Sequence, residues 1–82
     1  MLRLTEIRLA LDHDAGALRA TILATLAIPA VELIGYSVRR RGYDARRAGE
    51  LLFVYTLDVE VRDETALLKK FRHVRHIAQS PD

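Results

Sequence analysis

Five arginines, Arg39, Arg40, Arg41, Arg46 and Arg47, fall within nine positions, and Asp44 is the only acid among them. Guanidinium groups crowded like this repel one another until something neutralises them, so the stretch wants a carboxylate or phosphate partner, or else plain water. Asp44 is the natural internal anchor, because a short carboxylate accepts hydrogen bonds from turn amides or from one guanidinium and leaves the other charges facing outward. The candidate contact set for an anion or another protein domain is therefore Arg40, Arg41, Asp44, Arg46 and Arg47.

The other polar residues suggest less. Asp58 and Glu60 stand two apart and share a face if they lie on a strand, a spacing that raises one pKa when both are buried. On an open sheet face they instead stay solvated and ionised, within reach of Arg8, Arg39 or Arg41 on neighbouring strands. His73 and His76 are three apart and would meet on a helix, but two ligands do not make a zinc site, and with His13 they read as solvated imidazoles. No serine or threonine stands in a suggestive relation to a histidine, and no glycine-rich phosphate loop is present. Neither a catalytic constellation nor a metal or cofactor site is legible within the chain.

The basic stretch runs straight into the most strand-like segment, where Leu51, Phe53, Tyr55, Leu57, Val59 and Val61 alternate with residues that drift from Leu52 to Glu60. Period two with one apolar face predicts a strand over residues 51–61, with Phe53 and Tyr55 inward. On that placement Phe53→Ala removes a core aromatic and costs about 3–5 kcal/mol. In the first strand the apolar phase moves from Leu2 and Leu4 to Ile7, Leu9 and Leu11, which a β-bulge near Thr5 and Glu6 explains. Asp12 or Asp14 is expected to cap a helix over residues 15–27, with Leu18, Ile22 and Leu26 as its buried stripe and Pro29 as its stop. One further turn over residues 30–33 precedes a strand over 34–40, in which Ile34, Tyr36 and Val38 share a face. The arginine stretch follows as a loop, with Gly42 and Gly49 as its bends. Asp63 caps a second helix that buries Leu67, Leu68 and Phe71, with Glu64 and the pair Lys69 and Lys70 matching its dipole. Residues 74–78 are the candidate fourth strand.

This order, βαββα(β), predicts an α+β two-layer sandwich on the ferredoxin-like plan, an antiparallel sheet with both helices on one face. The open face then carries Leu52, Val54, Thr56, Asp58 and Glu60, with Ser37, Arg39 and Arg41 beside them. RNA-recognition modules of this plan stack bases on open-face aromatics, whereas here the phase turns Phe53 and Tyr55 inward and leaves only phosphate contacts to the arginines.

At 82 residues the chain is a single small domain, 1–82, with one core and a stability of about 4–12 kcal/mol. Half its residues are hydrophobic and 29% are charged, a globular composition; the net charge of +2 matters less than its clustering. The absence of cysteine excludes disulfides and thiolate metal sites and fits a reducing cytosol. The charged start, MLRLTEIRLALDHD, lacks the apolar core of a signal peptide, and the longest apolar run, residues 26–36, is broken by Pro29 and Glu32. A soluble, cytoplasmic protein without membrane contact is expected.

Three stretches carry a resemblance that covers nearly the whole chain: MLRLTEIRLALDHD, the pattern Arg40, Arg41, Gly42, Tyr43, Asp44, Ala45, Arg46, Arg47, and FVYTLDVEV over residues 53–61. Together they resemble the N-terminal segment of a family of uncharacterised bacterial FAD-dependent dehydrogenases. That family more often reads Arg-Arg-Ser-x-Asp-Ala-Arg-Lys; here Gly42 replaces the serine and Arg39 adds a third arginine in front. The resemblance implies an accessory N-terminal domain of a longer oxidoreductase. The catalytic flavin-binding domain of the same polypeptide, with its glycine fingerprint, FAD and an option on NAD(P), would follow beyond Asp82. The arginines would then reach a dinucleotide phosphate or an acidic partner. The alternative is a free-standing module that binds RNA or another polyanion.

Either class makes the isolated chain a protein without cofactor. Purified, it should be colourless and leave the fluorescence of added FAD unchanged at micromolar concentration; a yellow preparation would refute this.

Overall fold

A computed structural model of the chain describes residues 1–47 and 50–81, and the side chains of all of these except 46, 47 and 50. Strand β1, Leu2–Ala10, lies antiparallel to β3, Glu50–Val61. Leu2 faces Val59 and Leu4 faces Leu57, but Ile7 then faces Tyr55, so Thr5 and Glu6 together oppose Thr56. This is the β-bulge that the change of apolar phase predicts, and Glu6 enters it with φ 57°. The extra residue keeps Leu2, Leu4, Ile7 and Leu9 on one face.

Helix α1, Ala17–Leu26, starts later than expected, and neither Asp12 nor Asp14 caps it. Asp14 Oδ1 instead accepts from the amide of Gly16, which holds the cap position, at 3.1 Å. A short side chain two residues outside the first turn competes for a nearer amide and closes an Asx turn there. Ile22 and Leu26 are fully buried and Leu18 partly so. The helix ends when Ala27 turns left-handed, φ 55°, and donates to Ala24 O, while Ile28 donates to Leu23 O at 3.1 Å. Those paired bonds form a Schellman stop, one residue ahead of Pro29. A 3-10 turn, Ala30–Glu32, follows.

Strand β2, Leu33–Arg47, is far longer than the expected 34–40. The arginine stretch is therefore the distal half of a β2–β3 hairpin and not a loop. Gly42 is no bend either: it pairs with Val54 in the ladder, and Gly49 lies outside the described residues. The register slips at Ile34, again at Arg39, between the pairs Val38 with Leu57 and Arg40 with Thr56, and a third time between Asp44 and Arg47. Because of the first slip, Ile34 is exposed and only Tyr36 and Val38 keep the face predicted for the three. Because of the second, Arg41 comes opposite Tyr55 on the inner face, and it is Arg40 that joins the open one.

Helix α2, Glu64–Lys70, is capped as predicted by Asp63, whose Oδ1 accepts from Ala66 N at 3.2 Å. Glu64 occupies its first turn and Lys69 and Lys70 its last. The fourth strand exists but is only Ile77–Gln79, labelled β4, antiparallel to β1. The sheet order is β2-β3-β1-β4. This is an α+β arrangement of a four-stranded antiparallel sheet and two helices.

One core joins Leu2, Leu4, Ile7, Tyr55, Leu57, Val59 and Val61 of the sheet to Ile22 and Leu26 of α1 and Leu67 of α2. α1 lies against β1 and α2 against β4, while the inner face of the distal hairpin is largely exposed. Leu51 and Tyr43 are exposed there and Phe53 is only half-buried, packed on the margin of the core. Truncating Phe53 therefore costs less than the core value expected from its phase. Among the described residues no helix is long and apolar enough to cross a membrane.

Glu6 and Ala27 both hold a left-handed conformation that glycine adopts without a Cβ clash. Glu6→Gly and Ala27→Gly should each stabilise the domain by about 0.5–1 kcal/mol, a few degrees in Tm. Thermal melts of the two variants check this, and a lowered Tm for either would contradict the backbone described.

Candidate functional site: the arginine hairpin

The candidate residues lie along the distal hairpin but on two faces. Arg40 is exposed on the open face opposite Thr56, and no partner is found for it among the described residues. Arg41 stands opposite Tyr55 with its guanidinium carbon 4.8 Å from the centre of the Phe53 ring, a cation–π contact. Asp44 does accept from a guanidinium, as predicted, but the donor is Arg8 of β1: Nε to Oδ2, 3.2 Å, reaching across β3. The backbones of Arg46 and Arg47 belong to β2, with Arg47 opposite Glu50, while their side chains lie outside those described. A side chain at Gly42 would meet nothing within 4 Å.

Beside Arg41 lies an aromatic group that the periodicity did not reveal. Tyr43 and Phe53 rings are 5.1 Å apart, and His13 sets its edge against both Phe53 and Tyr55. His13 is not a solvated imidazole: its Nδ1 donates to Ala10 O at 2.8 Å, and Nε2 lies in hydrogen-bond contact with the Tyr55 hydroxyl at 3.2 Å. Those two bonds tie the turn after β1 to the core. The other histidines are exposed. His76 lies 3.7 Å from Glu6, and His73 accepts from Arg72 Nε; α2 ends at Lys70, so the two do not share its face. Among the described residues no three metal-ligating side chains gather.

The largest departure from expectation is Asp58. It shares the open face with Glu60, but only Glu60 is solvated; Asp58 is 4% exposed. Its carboxylate takes both arms of Arg3, Nε to Oδ1 at 2.9 Å and Nη2 to Oδ2 at 3.2 Å. Arg39 Nε adds a contact at 3.5 Å, and the buried Ser80 lies within reach of Arg3 at 3.5 Å. Arg39 was among the predicted partners; Arg3 was not. The hydrogen bonds from Arg3 hold the Asp58 carboxyl below the usual carboxylate range, helped by the charges of Arg3 and Arg39 and by the Ser80 hydroxyl, against burial that pushes it up. This is opposite to the raised pKa that a buried acid pair would show.

Chemically the arrangement offers charge and contact area. A cleft of about 150 Å³ lined by Ile28, Glu32, Val61, Asp63, Ala66 and Leu67 sits at the other end of β3 and is small beside ligand pockets of roughly 300–1,000 Å³. Fold and surface together define a small α+β domain whose exposed arginines ride on a long edge hairpin. Residues 1–60 match the family described as Domain of unknown function (DUF8436), and the chain belongs to that family. The match spans β1, α1, β2 and nearly all of β3, so both partners of the Arg3–Asp58 pair fall within it, while α2 and β4 lie beyond. No curated protein matches the chain.

Asp58→Asn leaves Arg3 facing a neutral amide and should cost about 2 kcal/mol at pH 7. Because the folded pKa is depressed, this contribution is present above the unfolded value of about 3.9 and is lost as pH falls through the folded one. Urea titrations of both proteins at pH 7, 5 and 3 should therefore show a gap that narrows in acid; a gap constant with pH would refute the ion pair as its source.

Proposed function

We propose that this domain is an accessory, docking domain of an FAD-dependent dehydrogenase, seated on the catalytic flavin domain through its β2–β3 hairpin. The strand order β2-β3-β1-β4 with two crossover helices supports the finer description of the fold as ferredoxin-like. The lack of cysteine suits a cytoplasmic setting.

One observation carries the docking role. The hairpin acids Asp44 and Asp58 are already engaged from β1, by Arg8 and Arg3, while Arg40 stays exposed and Arg41 lies over an aromatic ring at the largely exposed end of the sheet. Positive charge beside exposed aromatic and aliphatic surface is the composition of a protein contact, in which arginine and tyrosine dominate. The resemblance to flavin dehydrogenases supplies the partner: a catalytic body, with FAD and NAD(P) handled there.

The test is made on the longest product of the reading frame. It should carry FAD, and Arg40→Glu combined with Arg41→Glu should speed proteolysis between this domain and the body while flavin stays bound. A product without flavin, or a junction equally protected in the variant, would overturn the proposal. So would tight binding of mixed-sequence RNA by the 82-residue chain that weakens steeply with salt, since polyanion recognition would then be its function.

A further inference from the structure

The sheet has two unlike edges. β4 is three residues long, whereas β2 runs for fifteen with no strand on its outer side. Among the described residues the backbone bond that reaches β2 from outside the ladder is at its very start, where Leu33 N donates to Ala30 O. About every second amide and carbonyl along it therefore faces solvent, a template for one more strand.

A second copy of this chain is a poor occupant, because two antiparallel β2 edges would set the arginines of residues 39–47 against one another. The two faces beside the edge point elsewhere. On the inner side Val38 is 46% and Tyr43 64% exposed, with Arg41 between them turned over the Phe53 ring. On the outer side stands Arg40. A strand laid along β2 would present alternate residues to these two faces, so the partner that fits is apolar at one parity and acidic at the other. β2 already holds one such strand on its inner side: in β3, Leu57 faces Val38 and Val59 faces Tyr36, while Asp58 on the opposite face meets Arg39.

We infer that the outer edge of β2 is a strand-addition site for an extended protein segment that alternates apolar and acidic residues. This rests on the docking role proposed above and names the shape of what docks. It also gives the register slip at Arg39 a use, since that slip sets Arg40 on the outer face and brings Tyr43 to the inner one.

The experiment uses the 82-residue chain and a fluorescent nine-residue peptide of alternating valine and glutamate, with two controls: lysine in place of glutamate, and a central proline. The acidic peptide should bind at micromolar to tens of micromolar Kd and slow amide exchange along β2. Both controls should bind at least tenfold more weakly, the proline peptide because it lacks a ladder donor. Arg40→Glu, checked by its melt to be folded, should lose the acidic peptide and gain the lysine one. No binding, protection located away from β2, or an Arg40→Glu variant with unchanged preference would overturn the inference. Its failure is separable from that of the docking role: a flavoprotein whose junction depends on Arg40 and Arg41, but whose β2 amides exchange freely, keeps the role and rejects the strand.

Discussion

A carboxylate at the centre of this sheet is almost entirely out of water, and much of the remaining architecture is what keeps it there. Burying an ionised acid is tolerable only when partners replace its hydration shell with good geometry. Asp58 has a two-armed guanidinium from β1, a second guanidinium from β2 and a hydroxyl beyond β4, so each of the other three strands contributes to it or stands next to a contributor. Moving β1 by two residues along β3 would take the two-armed partner, Arg3, away from the charge. The open face is thus held in register by polar contacts, while the other face is held by packing, and every buried side-chain polar atom among the described residues has a partner.

Register slips then decide what each face displays. At Thr5 and Glu6 the extra residue rescues the core, since without it Ile7 and Leu9 would turn outward. At Arg39 the same device works on the surface. It sends Arg41 inward over Phe53, leaves Arg40 outward and turns Tyr43 to the inner side. Arg39, Arg40 and Arg41, all exposed, are in this way sorted into one that pairs with Asp58, one that meets no partner among the described residues and one that stacks on Phe53.

How much of this could be read in the chain depends on where hydrophobic contrast was available. The first slip is legible because apolar residues change parity against Arg3, Glu6 and Arg8. The second is not, because residues 39–42 are polar or glycine on both parities and a phase change among them leaves no trace. For the same reason the hairpin arm reads as a loop: strand character there comes from pairing with β3 and not from local composition. Asp63 is legible as a cap since a clear helical stripe follows it, whereas Asp12, Asp14 and Gly16 compete for the same few amides before α1. Arg40, Arg41, Asp44, Arg46 and Arg47 can be picked out by type, but the partner of Asp44 cannot, because Arg8 lies 36 residues away and across an intervening strand. The burial of Asp58 is hidden likewise, as its alternation reads as solvent-facing until Arg3 and Ser80 close over it.

The position of β1 between β3 and β4 also bears on the order of events when the chain folds. The β2–β3 hairpin closes over short sequence distances, on the timescale of microseconds. β1 must wait for partners 55 and 77 positions away, the separations of Arg3 from Asp58 and from Ser80. Contacts that distant are slow to form, because loop-closure entropy is lost before they return anything. The earliest of these four strands in the sequence is on this topology one that must wait for the hairpin, and until it arrives Asp58 keeps its water.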